Sequence, residues 1–187
     1  MIDVSHETTE ILVEYKELVL KWNKTINLIS KQSEVDFWDR HVVDSLQLLD
    51  YIDEFDDVLD MGSGAGFPGL VLSIGGVKNV TLVECDERKV AFLYQASRLS
   101  KNNINIIQQK ITEDFERECD VLTCRGFASL NKILRLSKKI KIRKKILLLK
   151  GESYDQEITE AKEHWLFNTT VHDSITSGKG KILEVFL

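Results

Sequence analysis

The chain has 187 residues and a net charge of −5 at neutral pH. That length suits one domain with its own core, and the charge does not mark a nucleic-acid binder by composition. No apolar run approaches the roughly 20 residues of a membrane span, and the acidic, polar start is not expected to form a secretory leader. Its three cysteines, Cys85, Cys119 and Cys124, lack metal-ligand spacing, so a cytoplasmic, metal-free protein is expected, with Cys119 and Cys124 as buried thiols.

Residues 7–23 carry Ile11, Leu12, Tyr15, Leu18, Val19 and Trp22 at helical spacing. A connector over 26–29 holds Asn27, with Ser30 after it, as turn formers. A second helix is predicted to begin near Ser33, a good N-cap, and to carry Phe37, Trp38, Val42, Leu46 and Leu49. These helices, within 1–54, are expected to form a helical cap on the core at 55–187. No linker-like stretch divides the chain, so 1–187 reads as one domain.

From Phe55 onward strand and helix patterns alternate. Strands are predicted over 58–60, 80–84, 104–108, 120–125 and 146–150. Helices are predicted from Pro68, over 87–100 and over 129–140. Another helix is predicted over 158–165, then strands over 168–171 and 182–186 joined by the Gly178-Lys179-Gly180 turn. This predicts an α/β fold, a parallel sheet covered on both faces by right-handed crossovers. Lys138, Lys139, Lys141, Arg143, Lys144 and Lys145 form a basic run. It reads either as a grip for RNA phosphate or as a solvated helix end.

The most informative stretch runs from Asp57 to Gly69. Val58 and Leu59 end in Asp60, and Gly62, Gly64 and Gly66 follow at alternate positions. Pro68 suits the first turn of a helix. Strand, glycine turn and helix together bring bare backbone against a ligand. Gly64, Gly66 and Gly69 also fit a dinucleotide fingerprint, but Asp60 weighs against one. A carboxylate about 4 Å from a phosphate charge costs about 1 kcal/mol in water and about 4 kcal/mol at an effective dielectric near 20. S-adenosylmethionine carries an ammonium and a sulfonium and no phosphate, so an acidic crevice attracts it. Glu84 closes the next apolar run about twenty residues on, where an acid can take both hydroxyls of an adenosine ribose. Ligands of open parallel sheets bind beyond the strand carboxyl ends. That rule gathers Asp60, Gly62, Glu84, the segment after Gln108, Arg125 and Lys150 onto one rim.

The run from Asp60 to Gly69 resembles the glycine motif of the glucose-inhibited division protein B family, the bacterial 16S ribosomal RNA guanine-N7 methyltransferases. Further segments match in order. Trp22-Asn23-Lys24 and Asn27-Leu28 resemble the end of the family's first helix, and Arg40-His41-Val42-Val43-Asp44-Ser45 its Arg-His-x-x-Asp-Ser signature. Glu84 with Lys89-Val90-Ala91-Phe92-Leu93, Arg125-Gly126-Phe127-Ala128-Ser129-Leu130 and Leu149-Lys150-Gly151 match later segments. Gly126 stands where the family usually has alanine, and the tail after Gly151 matches weakly. The resemblance implies a Rossmann-like class I S-adenosylmethionine-dependent methyltransferase fold. It also implies cofactor contacts at Gly62, Phe67, the Ile111-Thr112 backbone and Arg125, beside Gly64 and Glu84 already singled out. Phe67 also reads as a plain core aromatic, and Arg125 as a partner of the cofactor's carboxylate, of RNA, or of Asp44 or Asp60.

Guanine N7 carries an exposed lone pair, so this transfer needs no proton removed and works largely by positioning. No general base or nucleophile is therefore assigned. His41 and Asp44, three apart on one helix face, are candidates for positioning, and Arg40 and Lys150 for RNA contact. Amino-group methylation usually shows a Pro-Pro-aromatic motif, yet Pro68 is the single proline. Cytosine C5 chemistry usually uses a Pro-Cys pair, and the cysteines here follow Glu84, Glu118 and Thr123. The expected partner is 16S ribosomal RNA or the small ribosomal subunit, bound by a monomer. Three other readings stay open: a small-molecule methyltransferase, a noncatalytic cofactor-sensing ribosome-binding factor, and a nicotinamide dehydrogenase.

Overall fold

The structure, a computed structural model, describes residues 4–176 and 178–187. Seven strands form one sheet in the order β3-β2-β1-β4-β5-β7-β6. They are β1 (Asp57–Met61), β2 (Asn79–Glu84), β3 (Asn103–Gln108), β4 (Arg117–Arg125), β5 (Ile140–Lys150), β6 (Asn168–Asp173) and β7 (Lys181–Phe186). The first five are parallel to one another, and β7 joins antiparallel to β5 and β6.

The central strands are apolar on successive residues because both their faces are covered. Val58, Leu147 and Leu149 belong to one buried cluster, and Leu59, Ile146 and Leu148 to the other. Helices α1 (His6–Asn23), α4 (Gly69–Ile74) and α5 (Glu87–Ala96) cover the first face. Helices α6 (Leu130–Leu136) and α7 (Tyr154–Lys162) cover the second. Leu12, Tyr15 and Val19 of α1 are fully buried in the first cluster, so the N-terminal helix is part of the core layer.

Between β1 and β4 the strand order reverses. Chain connections leave the sheet in opposite directions there, and a crevice opens beyond the carboxyl ends of these strands.

Several boundaries differ from expectation. The helix placed near Ser33 begins earlier, as α2 (Lys31–Val35), and its cap is Ser30, whose hydroxyl accepts from Ser33 N–H at 3.2 Å. A π-helical turn (Trp38–Val43), the short α3 (Asp44–Leu46) and a 3₁₀ segment (Gln47–Tyr51) then follow in place of one regular helix. Pro68 sits one residue before α4, as its N-cap. The basic run is largely strand, because β5 begins at Ile140.

Candidate functional site

The turn after β1 is held from both sides. The N–H groups of Gly62 and Ser63 donate to the Val83 carbonyl at 2.9 and 3.0 Å, anchoring it to β2. The Tyr15 hydroxyl on α1 donates to the Ala65 carbonyl. Two glycines carry the geometry. Gly62 has φ +71°, and a Cβ there would stand 2.3 Å from Cδ2 of Phe127, so that ring lies directly on the backbone. Gly64 has φ +56°, and its added Cβ would meet only the Gly62 carbonyl, at 3.9 Å. Both conformations favour glycine, and at Gly64 the missing side chain leaves open space for a ligand.

That space is a cleft of about 570 Å³, lined by Gly62, Gly64, Glu84, Ile111, Thr112 and Phe127 among others. Glu84 is only 7% exposed. Its Oε1 accepts from the N–H groups of Cys85 and Asp86 at 2.7 and 2.9 Å, and its Oε2 from Gly64 N–H at 2.9 Å. A carboxylate offers about four acceptor positions, so about one stays open. Glu84 therefore holds the glycine turn and keeps about one acceptor position free toward the cleft. The open cradle at Gly64, this remaining acceptor and apolar Ile111 fit the adenosine part of S-adenosylmethionine. Lys89, Lys110 and Lys132 also line the cleft, without ion-pair partners among the described residues.

Asp60 departs from the expected acidic rim. It is 0% exposed and lines neither cavity described here. Its Oδ2 accepts from Gly69 N–H at 3.1 Å at the start of α4, and its Oδ1 has no partner. Burial pushes its carboxyl up to about 7. The turn and α4 have folded over the strand end, so Asp60 acts from beneath the site.

Phe67 also lies outside both cavities. It stacks on His41, with ring centroids 4.7 Å apart, and meets Tyr15 and Phe37 edge-on. The Arg125 guanidinium carbon lies 4.8 Å from the Phe67 centroid. Arg125 donates to His41 Nδ1 and to the Arg40 carbonyl, and it stands 3.6 Å from Asp44. Since a guanidinium only donates, Nδ1 is an acceptor and the imidazole proton sits on Nε2. That Nε2 is buried without a partner. Burial, then the charges of Arg125 and Arg40, push His41 down to about 3, so it stays neutral.

A second cavity, of about 640 Å³, shares Gly126 with the first. The structure brings Arg40, His41, Asp44, Arg125 and Lys150 together there, with Thr176 from the turn before β7. Lys150 is largely buried, donating to Glu157 and to the Ala128 carbonyl at 2.8 Å each. Arg40 is exposed at the lip. Burial pushes the Cys124 thiol up to about 12, so a thiolate there is absent at neutral pH.

The basic run does not present free charge. Lys138 and Lys139 pair with Glu113 and Asp114, and Lys141 and Arg143 with Glu118. Lys144 pairs with Asp56 and Lys145 with Glu184, each at 2.6 Å. The helix-end alternative is corrected to a strand whose exposed cations pair with carboxylates.

Phe127 and Thr176 were not singled out from sequence. Phe127 had a usable signal, its place two residues past the end of β4. Thr176 had none, since the turn before β7 reaches Asp44 only in three dimensions.

Solved structures share this architecture. A magnesium protoporphyrin IX methyltransferase from Synechocystis PCC 6803, solved with bound S-adenosylmethionine, superposes with TM-score 0.63 at 16% identity, covering 100% of this chain and 99% of that one. A SAM-dependent methyltransferase from Aquifex aeolicus gives TM-score 0.64 at 14% identity, covering 84% of this chain and 96% of that one. The fold is that of the class I S-adenosylmethionine-dependent methyltransferases.

Within that class the sequence is more specific. Residues 8–186 match the family model described as GidB, rRNA small subunit methyltransferase G. Ribosomal RNA small subunit methyltransferases G of Rickettsia felis and Rickettsia bellii are 53% and 52% identical over 186 residues, 99% of this chain and 96% of each relative. The chain belongs to the GidB family.

Proposed function

We propose that this chain transfers the methyl group of S-adenosylmethionine to N7 of a guanine in 16S ribosomal RNA. The observation that carries the reading is the pairing of two cavities at Gly126. One is a cradle built on Gly64 and Glu84, and the other is a chamber whose one carboxylate, Asp44, stands among Arg40, Arg125, Lys150 and Lys181. When bound, S-adenosylmethionine supplies a methyl group already activated by its sulfonium, which the N7 lone pair takes without prior loss of a proton.

The chain's residues then have binding and positioning roles. Glu84 holds a ribose hydroxyl, and the Ile111-Thr112 backbone borders the adenine. Arg125 and Phe67 stack to brace the wall between the cavities. His41 is kept neutral by burial and by Arg125 and shapes that wall without moving a proton. Arg40 meets RNA phosphate at the lip, while Lys150 is held by Glu157 and braces the chamber floor. One copy suffices, because residues of one chain line both cavities, and the N-terminal helices and the sheet act as one domain. The site of action is the cytoplasm, where small subunits assemble.

Incubation with labelled S-adenosylmethionine and 16S RNA, naked or in subunits, tests this. Label at guanine N7 is expected. Label confined to small metabolites, or on another RNA position, contradicts it.

A further inference from the structure

The second cavity contains one carboxylate, that of Asp44, among Arg40, Arg125, Lys150 and Lys181. Three of those cations already have partners: Arg125 on His41, Lys150 on Glu157 and Lys181 on Asp173. Asp44 is only half engaged. Its Oδ1 accepts from Gln47 Nε2 at 2.8 Å and from Thr176 Oγ1 at 3.0 Å. Its Oδ2 is ion-paired with Arg125 Nη1 at 3.6 Å, a separation longer than a hydrogen bond. The side chain is 19% exposed, so the carboxylate is oriented by the protein on one oxygen and held on the other only by the longer ion pair with Arg125.

An oriented carboxylate facing a base chamber selects for adjacent N–H donors. Guanine presents two, N1–H and the N2 amine, on its Watson–Crick edge. Its N7 and O6 acceptors lie on the opposite edge. With N7 turned toward the cofactor cleft across Gly126, the Watson–Crick edge points away from that cleft and into the second cavity. Adenine in the same pose would set a ring-nitrogen acceptor against the carboxylate and leave it unpaired.

We propose that Asp44 reads the target base, its carboxylate accepting the N1–H and N2 amine of guanine while Gln47 and Thr176 hold it in place. This rests on the guanine-N7 reading above. It adds the residue that makes the enzyme prefer guanine over other purines. A site built to hydrogen-bond a polar edge rejects analogues lacking it far more strongly than an apolar pocket does.

The test compares small-subunit RNA carrying guanosine or inosine at the methylated position, with wild type and Asp44→Asn. Inosine keeps N1–H and N7 but lacks the N2 amine. Wild type is expected to lose about tenfold or more in kcat/KM on inosine, the effect of one hydrogen bond to a charged group. Asp44→Asn is expected to fall mainly on guanosine, so that the guanosine-to-inosine ratio drops toward one. Its affinity for S-adenosylmethionine, by calorimetry, should stay within about threefold, since the cofactor cleft does not include Asp44. Equal wild-type rates on the two RNAs would overturn the proposal, as would a variant that loses activity but keeps the wild-type ratio. The wild-type comparison needs no variant to fold. If wild type methylates no guanosine N7 at all, the parent reading fails instead.

Discussion

Two carboxylates stand near the ends of neighbouring parallel strands, and the fold treats them oppositely. Asp60 pairs in register with Leu82, two residues before Glu84. Glu84 collects three backbone N–H groups and borders the cofactor cleft. Asp60 receives one, from Gly69, and is sealed under the turn with an oxygen unpartnered. A polar group that organises its surroundings is stabilising, whereas a buried one left half satisfied costs free energy. The Glu84 carboxylate thus holds the glycine turn and faces the cleft, where the proposed reading gives it a ribose contact, while the Asp60 carboxylate lies buried below the turn at a cost to stability.

The strongest way to break this contrast is Glu84→Ala. It removes the ribose acceptor and frees Gly64 N–H, so affinity for S-adenosylmethionine should fall by at least about 3 kcal/mol, roughly a hundredfold or more, in calorimetry. Retained affinity would show that Glu84 is not the anchor.

Asp60→Asn sharpens the other half. The folded-state pKa of Asp60 is raised from 3.8 to about 7, so the folded protein holds a proton that the unfolded chain has released between those values. Its contribution is therefore complete below the unfolded pKa and is lost as pH rises through about 7. Between pH 5 and 8 this amounts to about 2–3 kcal/mol of unfolding free energy. Denaturant titrations at the two pH values should show that loss in wild type and its near absence in Asp60→Asn. Cofactor affinity should strengthen from pH 6 to 8 in wild type, because a cationic ligand favours the ionised acid, and stay flat in the variant.

Cations show the same contrast of satisfied and open charge. Arg143 sits between Glu118 and Asp120, at 2.8 and 2.7 Å, whereas the side chain of Arg40 has no partner among the described residues. Arg40→Ala should weaken RNA binding and reduce the slope of log affinity against log salt by about one. Arg143→Ala should leave both unchanged in the same filter-binding titration. Equal effects would return the basic strand to the RNA interface.

The alternating architecture was legible because strands covered on both faces read as near-continuous apolar runs, as at Ile146–Leu149 and, with Thr81 the one polar residue, Val80–Val83. The first half of β5 was misread as a helix end although Ile140 and Ile142 alternate with Lys141 and Arg143. That is strand periodicity, obscured by the density of charge. The place of Glu84 at the cleft was legible because the end of the strand after a glycine turn lies beside that turn in a parallel sheet. The burial of Asp60 was not, since it depends on Gly69 and α4 closing over it. Neither was the stack around Phe67, which is assembled from Tyr15, Phe37, His41 and Arg125 on separate segments.

The most direct measurement is a map of N7-methylguanosine along 16S ribosomal RNA after incubation with S-adenosylmethionine and either wild type or Glu84→Ala. A new methyl at a single guanine with wild type, and none with the variant, is the predicted result. A wild-type map without any new N7 methyl, or a variant that methylates as well as wild type, would contradict the account.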